Sequence, residues 1–162
     1  MILLGLDVGT TSAKAIAVSE AGHVLGQGYA GYPLITPGGG SVEQNAEDWI
    51  TAACAAVRQA CANIAREGVA ALSLSAQGAS SVLLGSDMKP LAPAITWMDA
   101  RASAERDEVL CAADARVYEK TGWETSAALD LCKLLWLRRH EPKLLARARM
   151  FASTLEVVNY FL

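Results

Sequence analysis

Apolar segments of similar length, separated by short polar turns, open the chain. Residues 2–8 and 13–19 are apolar and are joined by Gly-Thr-Thr-Ser, and a third extended segment follows at about 24–30 after Glu-Ala-Gly-His. Apolar runs of this length bounded by Gly, Ser and Thr predict strands joined by tight turns. The pattern therefore predicts an antiparallel three-stranded meander.

The pattern changes after the meander. The segment YPLITPGGGSVEQNA, residues 32–46, is rich in proline and glycine and is predicted to be a loop that forms neither a helix nor a central strand. From 46 to 67, Trp49, Ala53 and the alanines that follow recur at helical spacing, which predicts a helix stopped at Gly68.

The remaining chain mixes short strands with helices. VAALSLSA predicts a strand, and SVLLGSDMKPLAPAITW predicts a strand, a turn at residues 86–87 and an extended piece interrupted by prolines. Helices are predicted at about 99–113, 127–139 and 142–149, before a final apolar stretch at 155–162. Strands followed by a helix and more strands predict an α/β sheet domain. The apolar ending leads us to expect a piece of a longer protein.

Composition narrows the function classes. The apolar fraction of 52% and the charged fraction of 19% fit a folded globular domain, and a net charge of −3 without a basic run argues against a nucleic-acid partner. A signal peptide and a membrane-spanning run are both absent from the sequence pattern, so we expect a cytoplasmic protein with no membrane partner. The four cysteines form no C-x-x-C pair and are expected to be buried, reduced thiols in helices.

The first candidate for chemistry is Asp7, at the end of the first strand. A carboxylate there, followed by Gly9, suits a hydrated magnesium ion with phosphate oxygens. The groups that follow suit a phosphate. Gly9 lets the backbone approach an anion, Thr10 and Thr11 offer backbone N–H and hydroxyl groups, and Lys14 supplies a positive charge. A polar hairpin turn capped by Asp7 explains the same residues, and the pattern alone does not separate the two interpretations.

Two further groups of residues carry less specific signals. Ser75-Ala-Gln77-Gly78 leaves a strand with a polar side chain at a sheet edge, where ligands tend to bind, or forms an ordinary turn. In AITWMDARA, Trp97 offers a flat wall to a sugar and Asp99 accepts hydroxyl hydrogen bonds. Alternatively, Trp97 is a core residue, Asp99 caps a helix and Arg101 lies on the surface.

Taken together, these segments resemble the N-terminal part of the FGGY carbohydrate kinases, which include xylulokinases and glycerol kinases. The resemblance runs over nearly all 162 residues in the family's order: GLDVGTTSAKAIAV, SVEQNAEDWI, LSLSAQG, PAITWMDARA and TGWETSAALDLCKLLWL. It implies an RNase H-like, actin-like ATPase fold, with a mixed sheet that begins as the meander and is flanked by helices. It also implies that residues 1–162 are an incomplete N-terminal domain whose C-terminal partner domain is absent.

The resemblance implies a function as well, namely transfer of a phosphoryl group from ATP, with Mg²⁺, to a sugar or polyol. Asp7 would then act in catalysis and hold the metal, and Gly9, Thr10, Thr11 and Lys14 would bind the nucleotide phosphates. The substrate side would be lined or supported by the following residues: Gln77, Gly78, Ala79, Trp97 and Asp99. In the family the catalytic base lies in a part of the chain beyond Leu162, so we expect no activity from this chain alone. For the full-length protein we expect a homodimer that acts on a small-molecule sugar or polyol.

Departures from the family pattern bear on the substrate. Glycerol kinases carry Arg-Glu where this chain has Gly78 and Ala79, and a tyrosine in the segment where this chain has Ala128. Without those groups glycerol would lose its main hydrogen bonds, which argues against glycerol as the substrate. Xylulokinases usually carry Met-His at positions 78 and 79, which puts D-xylulose in doubt as well. The alternatives to a kinase are a sugar sensor without catalysis and an actin-like nucleotide-binding switch.

Overall fold

The computed structural model describes residues 1–162, apart from the side chain of Arg66. The strands are β1 (Ile2–Val8), β2 (Ser12–Ser19), β3 (Val24–Gly31), β4 (Ile35–Gly38), β5 (Ser41–Gln44), β6 (Val69–Ala76), β7 (Ser81–Leu84), β8 (Ala94–Ile95) and β9 (Met150–Ser153). The helices are α1 (Ala46–Ala60), α2 (Ser103–Thr121), α3 (Asp130–His140), α4 (Pro142–Arg147) and α5 (Thr154–Phe161), with a short 3-10 helix at Arg66–Gly68.

Two compact units divide the chain. The first unit comprises Met1–Leu34, Asn45–Gly78 and Ala152–Leu162, and the second unit comprises Ile35–Gln44 and Ala79–Phe151. Each unit is therefore built from segments that are separated in the sequence, and each has its own sheet.

The sheet of the first unit has the strand order β3-β2-β1-β6. β1 pairs with β2 and β2 with β3 in antiparallel fashion, which confirms the predicted meander, while β6 runs parallel to β1. Alternation along β1 buries Leu4, Leu6 and Val8 on one face and leaves Asp7 on the other. The result is a mixed sheet, as the sequence predicted.

Helix α1 packs against β2 and β3, and α5 packs against α1 and β6. The N-terminus of α1 is capped by Asn45, whose side-chain oxygen accepts a hydrogen bond from the Glu47 backbone N–H at 3.2 Å. On the apolar face Trp49 is fully buried among small alanines. Alanines bring the helix close to the sheet, because they place little bulk between the two backbones.

The approach is closest at two glycines of β3. A Cβ atom at Gly28 would lie well inside contact distance of the Ala56 carbonyl oxygen, and one at Gly26 would do the same with the Ala60 carbonyl oxygen. Helix backbone and strand backbone therefore touch with no side chain between them.

The helix ends at Ala60 rather than at Glu67, so the predicted end was wrong. At Cys61 the backbone N–H bonds to the carbonyls of Val57 and Gln59, and the chain turns away. Packing explains this end. Ala60 lies against Gly26, near the start of β3, and beyond that point there is little strand left to support another turn of helix.

The second unit contains a sheet in the order β4-β5-β8-β7-β9. A hairpin through Gly38, Gly39 and Gly40, all with positive φ, joins β4 to β5. Strand β5 lies between β4 and β8, with Glu43 opposite Ile95. The prediction that residues 32–46 form no central strand was therefore wrong for Ser41–Gln44, since the proline-containing part, β4, takes the edge and leaves β5 free to pair on both sides.

Helices α2 and α3 pack together around Val109, Val117 and Cys132, and a second apolar cluster joins Leu83, Ile95 and Leu137. The predicted helices in this region exist with shifted ends, because α2 begins at Ser103 and continues to Thr121. Among the residues described, no helix is long and apolar enough to cross a membrane.

The cysteines only partly follow the prediction of buried thiols. Cys132 is fully buried, and burial raises the pKa of its thiol. Cys54 and Cys61 are half-buried, whereas Cys111 is exposed on α2. The prediction was therefore wrong for Cys111, which the sparse apolar face of α2 leaves on the solvent side.

Candidate active site

Asp7 and Lys14 face each other across the first hairpin. They occupy paired positions in the β1–β2 register, and both belong to the exposed face of the sheet. An open pocket of about 700 Å³ adjoins them, with Ser75 of β6 and Tyr29 of β3 also in its lining. A carboxylate and an ammonium thus occupy neighbouring positions on an accessible surface.

The turn that follows Asp7 is held in place by the end of β3. The Gly9 backbone N–H donates to the Ser12 carbonyl at 3.0 Å, which closes the turn. The Tyr32 backbone N–H donates to the Thr11 carbonyl at 3.0 Å, and the Tyr32 hydroxyl donates to the Gly9 carbonyl. Burial, with a smaller contribution from the charge of Asp7, raises the pKa of Tyr32 above its usual value, so the hydroxyl stays a donor.

Tyr32 gives a first testable prediction. Changing Tyr32→Phe removes one hydrogen bond to a backbone carbonyl while keeping the buried ring, so the first unit should lose about 1 kcal/mol of stability. Urea unfolding would measure the loss, and amide exchange should accelerate at Gly9 more than at α1. The exposed tyrosine of β3, changed as Tyr29→Phe, is the control. Equal losses in the two variants would contradict the assigned role of Tyr32.

Gln77 and Gly78 lie at the same edge of the sheet as the turn. β1 and β6 are parallel, with Val8 paired to Ala76, and the Gln77 backbone N–H donates to the Val8 carbonyl at 2.8 Å. Because parallel strands end together, the exit of β6 reaches the end of β1 where Asp7 lies. The structure thus brings the first two groups of predicted site residues to one edge of the first unit.

Ala79 and Trp97 belong to the second unit, where two hydrogen-bonding segments meet. Ala79 adopts a left-handed conformation with φ of 50°. The next residue, Ser80, accepts a hydrogen bond at its Oγ from the Trp97 backbone N–H at 3.2 Å. Trp97 is 48% exposed, so it is not a core tryptophan and part of it lies at the protein surface.

Asp99 is the most buried of the predicted site residues. Its Oδ2 accepts from the Val42 backbone N–H at 2.7 Å, and both its oxygens accept from the Arg101 guanidinium at 2.8 Å. Arg101 also donates to Glu43 at 2.6 Å and lies 5.0 Å from the centre of the Trp136 ring. Burial lowers the pKa of Arg101, but the hydrogen bonds to Asp99 and Glu43 outweigh it and raise the pKa overall.

This cluster settles one alternative. The N-cap of α2 is Ala102 rather than Asp99, and Arg101 is a buried partner of two carboxylates rather than a surface residue. Both oxygens of Asp99 are occupied by Val42 and Arg101, so this carboxylate holds its own segment in place.

The sequence analysis missed two residues that hold candidate segments in place, Tyr32 in the first unit and Lys133 in the second. Tyr32 gave no signal, because its partners lie in a turn far away in the sequence. Lys133 could have been found from the sequence, because it is a lysine within the apolar run Leu131-Cys-Lys-Leu-Leu-Trp-Leu of α3. A charged residue that is preceded and followed by apolar residues in a helix is a candidate for a buried, hydrogen-bonded group.

Comparison with known proteins agrees with this arrangement. Residues 2–162 match the model of the FGGY family of carbohydrate kinases, N-terminal domain. Xylulose kinase of Lactococcus lactis is 34% identical over 149 residues, which cover 91% of this chain and 30% of that protein. Gluconokinase of Bacillus subtilis is 29% identical over 157 residues, which cover 96% of this chain and 31% of that protein.

The solved structures agree. The ligand-bound xylulose kinase of Lactobacillus acidophilus superposes with a TM-score of 0.93 at 28% identity, over 99% of this chain and 33% of that one. An α/β fold of this kind, with a family match along nearly the whole chain, defines the class. The chain belongs to the FGGY family of carbohydrate kinases. It spans about a third of the length of the curated relatives it matches.

Proposed function

We propose that this chain supplies the phosphate-handling hairpin, and part of the sugar site, of a kinase that phosphorylates a sugar or polyol with ATP and Mg²⁺. The proposal rests mainly on the placement of Asp7 and Lys14, which are paired across neighbouring strands on an open face, next to a glycine turn held by hydrogen bonds. In this proposal residues 1–162 form the N-terminal part of the kinase's first domain, which the match to that domain supports.

The residues present fit a magnesium–nucleotide group. Within the described residues no three His, Cys, Asp or Glu side chains are grouped to hold a metal by themselves. Mg²⁺ does not need such a group, because it commonly binds one or two carboxylates together with waters and phosphate oxygens. A Cβ at Gly9 would lie 3.7 Å from Oδ2 of Asp7, so the glycine leaves the space above that carboxylate open.

Each residue of the hairpin has a distinct task in this proposal. Asp7 would hold the metal, whose charge offsets the negative charge that develops on the phosphate oxygens during transfer. Lys14, the cross-strand neighbour of Asp7, would attract a phosphate through its ammonium group. Gly9, Thr10 and Thr11 would present the turn backbone to phosphate oxygens, and Tyr32 fixes that turn in advance.

The second unit would contribute to the substrate side. The exposed ring of Trp97 suits the C–H face of a sugar, while Asp99 holds the segment that carries it. In the first unit, Gln77 would offer an amide at the edge of that unit's sheet. Gly78 and Ala79 are small, and nothing lies within 4 Å of a Cβ built at Gly78, so this part of the site has room for a substrate bulkier than glycerol.

Changing Asp7→Asn in the complete gene product tests the proposal. The wild type should release ADP from Mg-ATP with at least one compound of a panel of ketoses, aldoses, sugar acids and polyols. The variant keeps the shape of the side chain and loses its charge, so turnover should fall at least about 100-fold, or about 2.7 kcal/mol in the barrier.

The matched control is Glu20→Gln, an equivalent change of an exposed carboxylate in the turn at the other end of the same hairpin. That variant should keep wild-type turnover. Saturable sugar binding without turnover in the wild type would instead favour a sugar sensor. Binding of nucleotide alone would favour a switch, and full activity in Asp7→Asn would remove the role given to Asp7.

A further inference from the structure

A fully buried lysine lies beneath the sugar side of the second unit. Lys133 of α3 has no exposed surface. Its Nζ donates to the carbonyl oxygen of Ala79 and, at 3.2 Å, to the carbonyl oxygen of Ile95. Both acceptors are backbone atoms of segments that carry candidate sugar-side residues.

An ammonium group is a costly choice for this position. Removing a charge from water costs several kcal/mol, and apolar residues of similar volume often replace buried charges without loss of stability. Burial lowers the pKa of Lys133 to about 8, while the carboxylates of Asp130 and Asp99 oppose this shift and the charge of Arg101 adds to it. What a methionine or leucine could not supply is the set of N–H donors.

Those donors act on two segments at once. Ala79 has a left-handed backbone, which a residue with a Cβ adopts at a cost, so the hydrogen bond to its carbonyl helps to hold it there. Ile95 lies two residues before Trp97, whose backbone N–H is bound by Ser80. One turn before Lys133 on α3, Asp130 accepts a hydrogen bond from the Ser81 hydroxyl at 2.6 Å.

We propose that Lys133 is a positioning residue that fixes the backbones of residues 79–81 and 95–97 relative to each other, and so sets the position of the Trp97 ring for the sugar. This inference rests on the proposed function, because it gives the fixed segments a substrate. Lys133 does not touch the sugar in this role, since its Nζ is enclosed and bonded to two carbonyls.

The test compares Lys133→Met with Lys143→Met, a change of an exposed lysine on the neighbouring helix α4, in the 162-residue chain. Methionine fills the space and lacks the donors. Amide hydrogen exchange at Trp97 should become at least about 10-fold faster in Lys133→Met, as expected when charge-assisted hydrogen bonds are lost. Exchange in β1 and in the middle of α2 should stay within about 2-fold of the wild type in both variants.

A titration of the wild type gives a second readout that needs no variant to fold. The Trp97 amide resonance should shift with a midpoint near pH 8 and should lose this transition in Lys133→Met. Asp99, Arg101 and Asp130 are the charged groups whose interactions with Lys133 shift its pKa.

As the pH rises above 8, the free energy of unfolding should increase while the hold of Lys133 on Trp97 weakens. These opposite pH dependences separate a positioning role from a purely structural one. The folded-state pKa lies below the ordinary lysine value of 10.5, so the unfolded chain binds more protons between these two values. The contribution of Lys133 to the free energy of unfolding therefore rises from about pH 8 to 10.5, while its hold on Trp97 weakens.

Three results would overturn the proposal. They are exchange at Trp97 that is unchanged in Lys133→Met, exchange that accelerates equally throughout the chain, and a Trp97 resonance that does not titrate near pH 8. In the complete gene product, Lys133→Met should raise the KM for the sugar at least about 5-fold and leave the KM for ATP unchanged. Absence of any kinase turnover would remove the proposed function alone, since the exchange and titration results do not depend on it.

Discussion

Changing Gly28→Ala is expected to destabilise the first unit by about 3 kcal/mol or more, which is enough to unfold a marginally stable domain. A methyl group at this position would overlap the carbonyl oxygen of Ala56 and come within 2.9 Å of the Cβ of Gln59. Neither atom is the end of a flexible side chain, so the helix itself would have to move off β3. Moving it would separate the buried alanines of α1 from the sheet and open cavities around Trp49.

Urea unfolding followed by circular dichroism would measure this loss. The control is Gly31→Ala in the same strand, where the nearest atoms to a new Cβ are the Tyr29 hydroxyl at 3.5 Å and the Thr11 carbonyl at 3.7 Å, both ordinary contacts. We expect that variant to be within about 1 kcal/mol of the wild type. If Gly28→Ala were as stable as Gly31→Ala, the close packing of α1 on β3 would be wrong.

Changing Arg101→Met should cost the second unit about 3–5 kcal/mol, the usual penalty for removing one partner of a buried ion pair. The Asp99 side chain has no exposed surface, and Arg101 and Glu43 side chains are 13% and 18% exposed. Without the guanidinium, Asp99 would keep its bond from Val42 but lose its compensating charge. Water would then have to enter the cluster to solvate the buried carboxylate, and the pairing of β5 with β8 would weaken.

Tryptophan fluorescence during urea unfolding would measure this effect, because Trp97, Trp123 and Trp136 all belong to the second unit. Arg106→Met is the matched control, since Arg106 is a more exposed arginine paired with exposed Asp107 on α2. An exposed pair contributes about 0–1 kcal/mol, so this variant should be nearly unchanged. Similar losses in the two variants would mean that the buried cluster adds nothing beyond a surface ion pair.

Local patterns were enough to predict the first unit's hairpins. The turn between β1 and β2 lies within a few residues of both strands, so the register that pairs Asp7 with Lys14 follows from the turn itself. The strand β6 was also visible as an apolar run. The sequence left two interpretations of Asp7 open, a metal site or a capped turn. The metal site remains a proposal, which the exposure of Asp7 and the open pocket beside it favour.

Long-range partners account for what the sequence did not reveal. Ser41–Gln44 forms an internal strand only because residues 94–95, far along the chain, pair with it. Arg101 is buried for the same reason, since its partner Glu43 lies on that strand. Local propensity does not contain such long-range pairings. The composition of residues 32–46 therefore gave a wrong prediction for β5, and the polarity of Arg101 left a surface position open as an alternative.

The division of the chain into interleaved segments has a consequence for its synthesis. The first unit takes its final segment from Ala152–Leu162, and α5 within that segment packs on α1 and β6. The hairpin of β4 and β5 emerges from the ribosome well before β8, its partner. Neither unit can therefore be completed from the residues that are synthesised first. Until residues 150–162 have been synthesised, the second unit lacks the strand β9, and the first unit, whose sheet is complete at β6, lacks the helix α5 that packs on α1 and β6.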